Sequence, residues 1–152
     1  MNSRDWCFMW LGVLLAVVSV VAVGKLNNAR AESWLVVSGL ALHLDGNKYC
    51  NELTQGLGLE SVEGSKRYSV GFYRNSNCHW SAYAGRAWTP LRLGSVAFGV
   101  LGGGVTGYDH AITPVGALFA AVDTKPWGLN LTYIPPVAGS GNVLWLQAKR
   151  VF

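Results

Sequence analysis

From Trp34 onward the chain alternates large apolar residues with small or polar ones at a period of two, and that alternation commits it to β-structure. In a strand, successive side chains face opposite sides. Trp34, Val36, Ser38, Leu40 and Leu42 alternate with Leu35, Val37, Gly39, Ala41 and His43. The same period runs through Leu57 and Leu59, through Tyr68, Val70 and Phe72, through Trp80 to Trp88, and through Leu129, Leu131 and Tyr133. Residues 97–108, 115–122 and 142–152 read as three further strands, which makes eight. Gly- or Pro-bearing turns fall at 63–65, 90–94 and 123–127, and longer polar connections at 44–54, 75–79, 109–114 and 135–141. Short and long connections alternate, as they do in outer-membrane barrels. The fold expected is therefore all-β, an eight-stranded antiparallel transmembrane β-barrel, with one face of each strand lipid-like and the other small or polar. Trp34, Trp80, Trp88, Trp127 and Tyr133 stand at strand ends and fit aromatic girdles. A soluble sandwich or lipocalin-like barrel is the competing fold, with the same aromatics filling a core.

Ahead of the strands, Arg4 leads into an apolar stretch over 7–23, and a polar segment then closes on Ala29-Arg30-Ala31. This is the pattern of a secretory signal, and cleavage is expected after Ala31, leaving 32–152 as one domain. A transmembrane helix is the other reading of that stretch. Of the 19 glycines, 17 follow Ala31, which suits tightly curved strands. After Ala31 the chain carries nine Lys/Arg and seven Asp/Glu, so no basic excess points to nucleic acid. Cys50 and Cys78 both lie in polar connections, and in an oxidising compartment a bond between them would tie two neighbouring loops. Scattered histidines and two isolated thiols lack metal-ligand spacing.

Specific words in the sequence then narrow the reading. Gly104-Val105-Thr106 with Asp109, Pro114-Val115, Leu131-Thr132-Tyr133-Ile134-Pro135, Gly141-Asn142-Val143 and Phe152 follow one another in a familiar order. Upstream, Asn51-Glu52, Gly58-Leu59, Ala84-Gly85 with Trp88, and Pro90-Leu91 continue it. Over about Ser38 to Phe152 the chain resembles the PagP family of lipid A palmitoyltransferases. That resemblance implies a monomeric barrel in the outer membrane of a Gram-negative bacterium. Its acyl donor would be a phospholipid and its acceptor lipid A, and it would need no cofactor, metal or nucleic acid.

The resemblance also implies a site. The family's His at the end of the first strand falls on His43, and its Asp-Ser pair after the third strand falls on Asn75-Ser76, with an amide where the family has a carboxylate. His43 is then expected to act as general base or acid, and Ser76 as a positioning hydroxyl or nucleophile. Asn75 is expected as a hydrogen-bond donor to a developing oxyanion, with Asp45 as an alternative source of charge. Ala87 falls where the family has the Gly that floors an acyl slot, so an acyl chain somewhat shorter than palmitoyl is expected. Pro114 and Pro135 match one of the family's proline pairs at a lateral lipid entrance; the other pair is absent. By residue type alone His43 is an ordinary loop-end histidine, and Asn-Ser-Asn an ordinary turn. A non-catalytic eight-stranded barrel, serving adhesion or membrane stabilisation, is the alternative function.

Overall fold

The computed structural model describes residues 31–136 and 142–152, so the expected signal segment up to Arg30 lies outside the described residues. Eight strands follow in order: β1 (Glu32–His43), β2 (Leu53–Glu63), β3 (Lys66–Arg74), β4 (Trp80–Leu93), β5 (Val96–Val105), β6 (Thr113–Thr124), β7 (Trp127–Ile134) and β8 (Val143–Val151). Each pairs antiparallel with the next, and β8 pairs with β1, closing the barrel. No helix occurs among the described residues.

Two turns show why the register is tight. Gly64-Ser65 and Gly94-Ser95 each join strands through a two-residue turn, between the pairs Glu63↔Lys66 and Leu93↔Val96. Gly64 and Gly94 both adopt φ +59°, which puts Gly at the first central position of a II′-type hairpin. These turns, the Lys125-Pro126 turn and both ends of the barrel domain share one rim. The longer connections form the other.

The expectation for 90–94 is corrected. β4 continues through Pro90 to Leu93, and the turn is only Gly94-Ser95. A bulge between Trp88 and Leu91 accommodates Pro90, whose missing N–H is tolerated where the ladder is already broken. Gly99 lies opposite this bulge, where a Cβ would run into the Trp88 carbonyl oxygen.

A second bulge, between Ser38 and Leu40, corrects the reading of β1. Trp34, Val36 and Ser38 point inward, but beyond Gly39 the phase reverses, so that Leu40 and Leu42 face out while Ala41 is buried. One unbroken alternation cannot describe such a strand, because a single extra residue exchanges the two faces. Trp34 is consequently not a girdle residue. It is 0 % exposed, with the Lys149 ammonium 4.8 Å from its ring centroid. Trp80, Trp88 and Trp127 do face outward.

The outer wall is rich in exposed large apolar residues, while the interior mixes apolar side chains with buried charge. The outer wall exposes Leu35, Val37, Leu57, Trp88, Val100, Leu118, Leu129 and Leu146, among others. Toward the turn rim the lumen holds Glu60, Arg67 and Lys149, all nearly inaccessible, together with Asp123. Arg67 bridges Glu60 (3.1 Å) and Asp123, and Lys149 bridges the same two carboxylates at 2.6 and 2.8 Å. Asn130 Nδ2 donates to the second Glu60 oxygen at 2.7 Å. Two cations and two anions thus satisfy one another, which is the condition for burying charge at tolerable cost.

Candidate functional site

The loop rim is built on the last residues of β1 and β3. His43 ends β1 and pairs with Val143 of β8. The bulge at Ser38–Leu40 puts His43 on the same row as the buried Ala41. Its ring stacks on Tyr49 at 3.5 Å between centroids and 21° between planes. Nδ1 is buried and lacks a partner of hydrogen-bonding geometry. Tyr49 Oη donates to Asp45 Oδ2 at 2.6 Å, and the backbone and side-chain nitrogens of Asn47 donate to the same carboxylate. These three hydrogen bonds, that of the phenol first, hold the Asp45 carboxyl below the usual carboxylate range. The same hydrogen bond raises the Tyr49 phenol.

Cys50 and Cys78 are bonded, with Cα atoms 5.7 Å apart, so the loop after β1 is stitched to the loop after β3. Asn51 adds to the seam: its N–H donates to the Ser76 carbonyl (3.1 Å), and its Nδ2 to the Arg74 carbonyl (3.0 Å). This brings the His43 loop and the Ser76 loop together on one rim. The ring neighbour of His43, however, is Tyr49.

Asn75 is 0 % exposed, and both its amide hydrogens are committed, to Ser81 Oγ at 2.9 Å and to the Gly107 carbonyl at 2.8 Å. Its Oδ1 accepts from the backbone N–H groups of Asn77 (3.0 Å) and His79 (2.9 Å). In this conformation the side chain organises the 75–79 turn, and any donation to an oxyanion would require one of these bonds to break. Ser76 is also buried.

Below the rim the lumen contains an aromatic cluster. Tyr73, Tyr83 and Trp145 lie within 5.0–5.9 Å of one another between centroids, and Tyr108, from the 106–112 connection, meets Tyr73 hydroxyl to hydroxyl at 3.2 Å. Trp145 Nε1 donates to Thr54 Oγ1 at 3.0 Å. The paired glycines Gly58 and Gly71 make room for Tyr83, since a Cβ on Gly71 would come 2.7 Å from Tyr83 Cε1 and one on Gly58 would meet its hydroxyl. Farther toward the turn rim, Ala87 is buried and faces inward with Phe119, Ala121 and the partly buried Leu101. The Arg67 guanidinium stands 6.0 Å from the Phe119 ring, which joins this cluster to the ionic layer.

The wall changes character between β6 and β7. Their ladder runs from Thr124↔Trp127 only as far as Leu118↔Tyr133, whereas β5 and β6 stay paired up to Val105↔Thr113. Residues 113–117 of β6 are therefore outside the β7 ladder, and Pro114 is exposed within that stretch. Pro135 directly follows β7. At the β1–β2 seam, where the expected prolines are absent, pairing reaches Leu40↔Leu53, and Ala41 N–H donates to the Glu52 carbonyl at 2.8 Å. On the outer wall, side chains of β4 to β7, including Trp88, Leu91, Phe98, Leu118, Leu131 and Tyr133, line an apolar hollow of about 470 Å³.

Three features escaped the sequence. Tyr49 sits in an aperiodic loop and gives no pattern signal. The aromatic cluster looks in sequence like ordinary strand aromatics. The ionic layer had a signal, because Glu60 alternates with Leu57 and Leu59, but its partners lie 7, 70 and 89 positions away. Among the described residues no group of three His, Cys, Asp or Glu side chains is placed to hold a metal.

No protein-family model matches the chain, and no curated protein matches it.

Proposed function

We propose that the chain is an integral outer-membrane acyltransferase of a Gram-negative bacterium, acting as a monomer. It moves a palmitoyl or somewhat shorter chain from a glycerophospholipid to lipid A or a related lipid. The observation that carries the reading is the loop rim: His43 and the Ser76 loop lie on one end of a barrel with an apolar outer wall, joined by the Cys50–Cys78 bond. An apolar wall around a lumen that buries an ionic layer suits a bilayer, where a sheet must close to satisfy every backbone group. The break in the β6–β7 ladder beside Pro114 and Pro135 supplies a place where lipid reaches the rim sideways.

In this reading the His43 imidazole takes the proton from an acceptor hydroxyl as that oxygen attacks the ester carbonyl of the donor. The ester C–O bond then breaks, and the proton returns to the departing lysophospholipid oxygen. Ser76 positions the reacting ester or serves as the nucleophile, and Ala87 sets the depth open to the acyl tail.

The test is mass spectrometry of lipid A and phospholipids from cells making the wild type, His43→Ala or Ser76→Ala. An added acyl mass in the wild type that disappears in His43→Ala is expected. A membrane-inserted wild type that adds none rejects the reading.

A second reading, a non-catalytic barrel, is favoured by one observation: Tyr73, Tyr83, Tyr108 and Trp145 occupy the lumen beneath the rim. Under the acyltransferase reading this cluster must part to admit a chain, so Tyr83→Ala should raise the rate or lengthen the accepted chain. Under the second reading it changes only stability.

A further inference from the structure

We propose that Tyr49 and Asp45 orient the His43 imidazole and supply it with negative charge. The proposal rests on the acyltransferase reading and assigns both as positioning residues. Three observations carry it. First, Tyr49 covers one face of the imidazole at 3.5 Å, a stack that restricts ring rotation about the Cβ–Cγ bond. Second, the Tyr49 hydroxyl is anchored to Asp45 at 2.6 Å, and Asp45 is itself held by Asn47 through two contacts of 3.1 Å. The stacked ring and the carboxylate therefore move as one unit. Third, that unit is fixed at both ends. Leu44 N–H donates to the Asn142 carbonyl at 2.7 Å, and Cys50, next to Tyr49, is bonded to Cys78. Asn75 offers no comparable service, since its amide hydrogens already go to Ser81 and Gly107.

Burial is the largest influence on the His43 imidazole and disfavours its charged form; the charged groups that oppose it are Asp45 and Glu52, both negative. Lys48 lies on the same loop, the β8 neighbour is Val143, and residues 135–142 contain no titratable side chain. A carboxylate close to an imidazole favours the imidazolium that forms when His43 takes a proton. Asp45 is the nearer of the two in sequence and is tied to the ring through Tyr49.

The experiment is an NMR titration of the His43 ring in the full chain folded in detergent micelles, beside the pH profile of acyl transfer. Asp45→Asn is expected to lower the His43 midpoint by about 0.5 unit or more and to move the acidic limb of the rate profile with it. Tyr49→Ala is expected to reduce kcat several-fold with little change in KM for the donor. Tyr49→Phe, which keeps the stack and loses the anchor, should fall between wild type and Tyr49→Ala. Asp45→Glu should restore the midpoint. A His43 titration that Asp45→Asn leaves in place overturns the proposal, whatever happens to activity. A titration that shifts as expected in a chain that transfers no acyl group supports the hold of Asp45 on His43 and rejects the acyltransferase reading instead.

Discussion

Asn75 and Asp45 show how the loop rim depends on single side chains. Asn75 makes four hydrogen bonds from a fully buried position, two as donor and two as acceptor. Asn75→Ala leaves the Gly107 carbonyl and two backbone N–H groups without their partner, at about 1–3 kcal/mol for each group that water cannot reach. Hydrogen exchange at the His79 amide should speed up accordingly. Asn75→Asp should also destabilise, because a carboxylate would face the Gly107 carbonyl with no hydrogen to offer. Asp45 and Tyr49 make the 44–50 loop pH-dependent at both extremes. The folded-state pKa of Asp45 is depressed, so its contribution is present above the ordinary value near 3.8 and is lost as pH falls through the lower folded value. The folded-state pKa of Tyr49 is raised, so its contribution is present below 10.0 and is lost as pH rises through the higher folded value. NMR shifts of the Tyr49 ring should therefore change outside these limits, and between them should follow only the titration of the stacked His43 imidazole. Ala87, inward and buried beside Phe119, bears on specificity: Ala87→Gly should lengthen the accepted chain by about one methylene, read as product mass, if the acyl tail ends there.

At the scale of the strand, the two bulges decide which residues face the lumen. The one at Ser38–Leu40 turns His43 inward while keeping Leu40 and Leu42 on the outer wall, and Gly39 sits within it with its missing Cβ 3.1 Å from the Leu146 carbonyl. The ionic layer is the other device at this scale, because it ties β2, β3, β6 and β8 across the lumen through four side chains. Removing one member leaves the others buried with unbalanced charge. Lys149→Ala is expected to cost about 3–5 kcal/mol, seen as a lower urea midpoint for unfolding from micelles or vesicles. Lys149→Met with Glu60→Gln should recover part of that loss, since removing both charges leaves Arg67 and Asp123 as a balanced pair.

The whole molecule is an apolar wall around a lumen of aromatic, small and paired charged side chains, and the proposed membrane location turns that wall toward lipid. Leu118 is more than half exposed on the outer side of β6, near mid-strand. Leu118→Arg is expected to cost about 2–4 kcal/mol in folding into lipid vesicles if that position lies at the bilayer midplane. The same change would be nearly neutral on a wall facing water, so one equilibrium measurement separates the two settings. Arg86 and Arg150 already stand on the outer wall, and each covers an aromatic neighbour: Arg86 over Tyr68 at 5.5 Å, and Arg150 over Trp127 at 5.4 Å. Those contacts cover part of each guanidinium and leave its long stem free to reach toward a polar boundary.

The eight strands, their antiparallel order and the alternation of short turns with long loops were legible in the sequence, because a period of two and Gly- or Pro-bearing turns are local properties. The expected girdle role of Trp34 and the expected turn at 90–94 fail for a physical reason: a bulge adds one residue to the register, and only the partner strand reveals it. The Cys50–Cys78 bond was also legible, from two cysteines in polar connections, whereas the stack of Tyr49 on His43, the commitment of Asn75 to its own loop and the charge layer around Glu60 were decided by tertiary structure. Each joins groups from separate strands or loops, or depends on how an aperiodic loop folds back, and closure of the barrel sets those distances. Local sequence determines which way a strand's residues alternate. Closure determines what each inward residue meets.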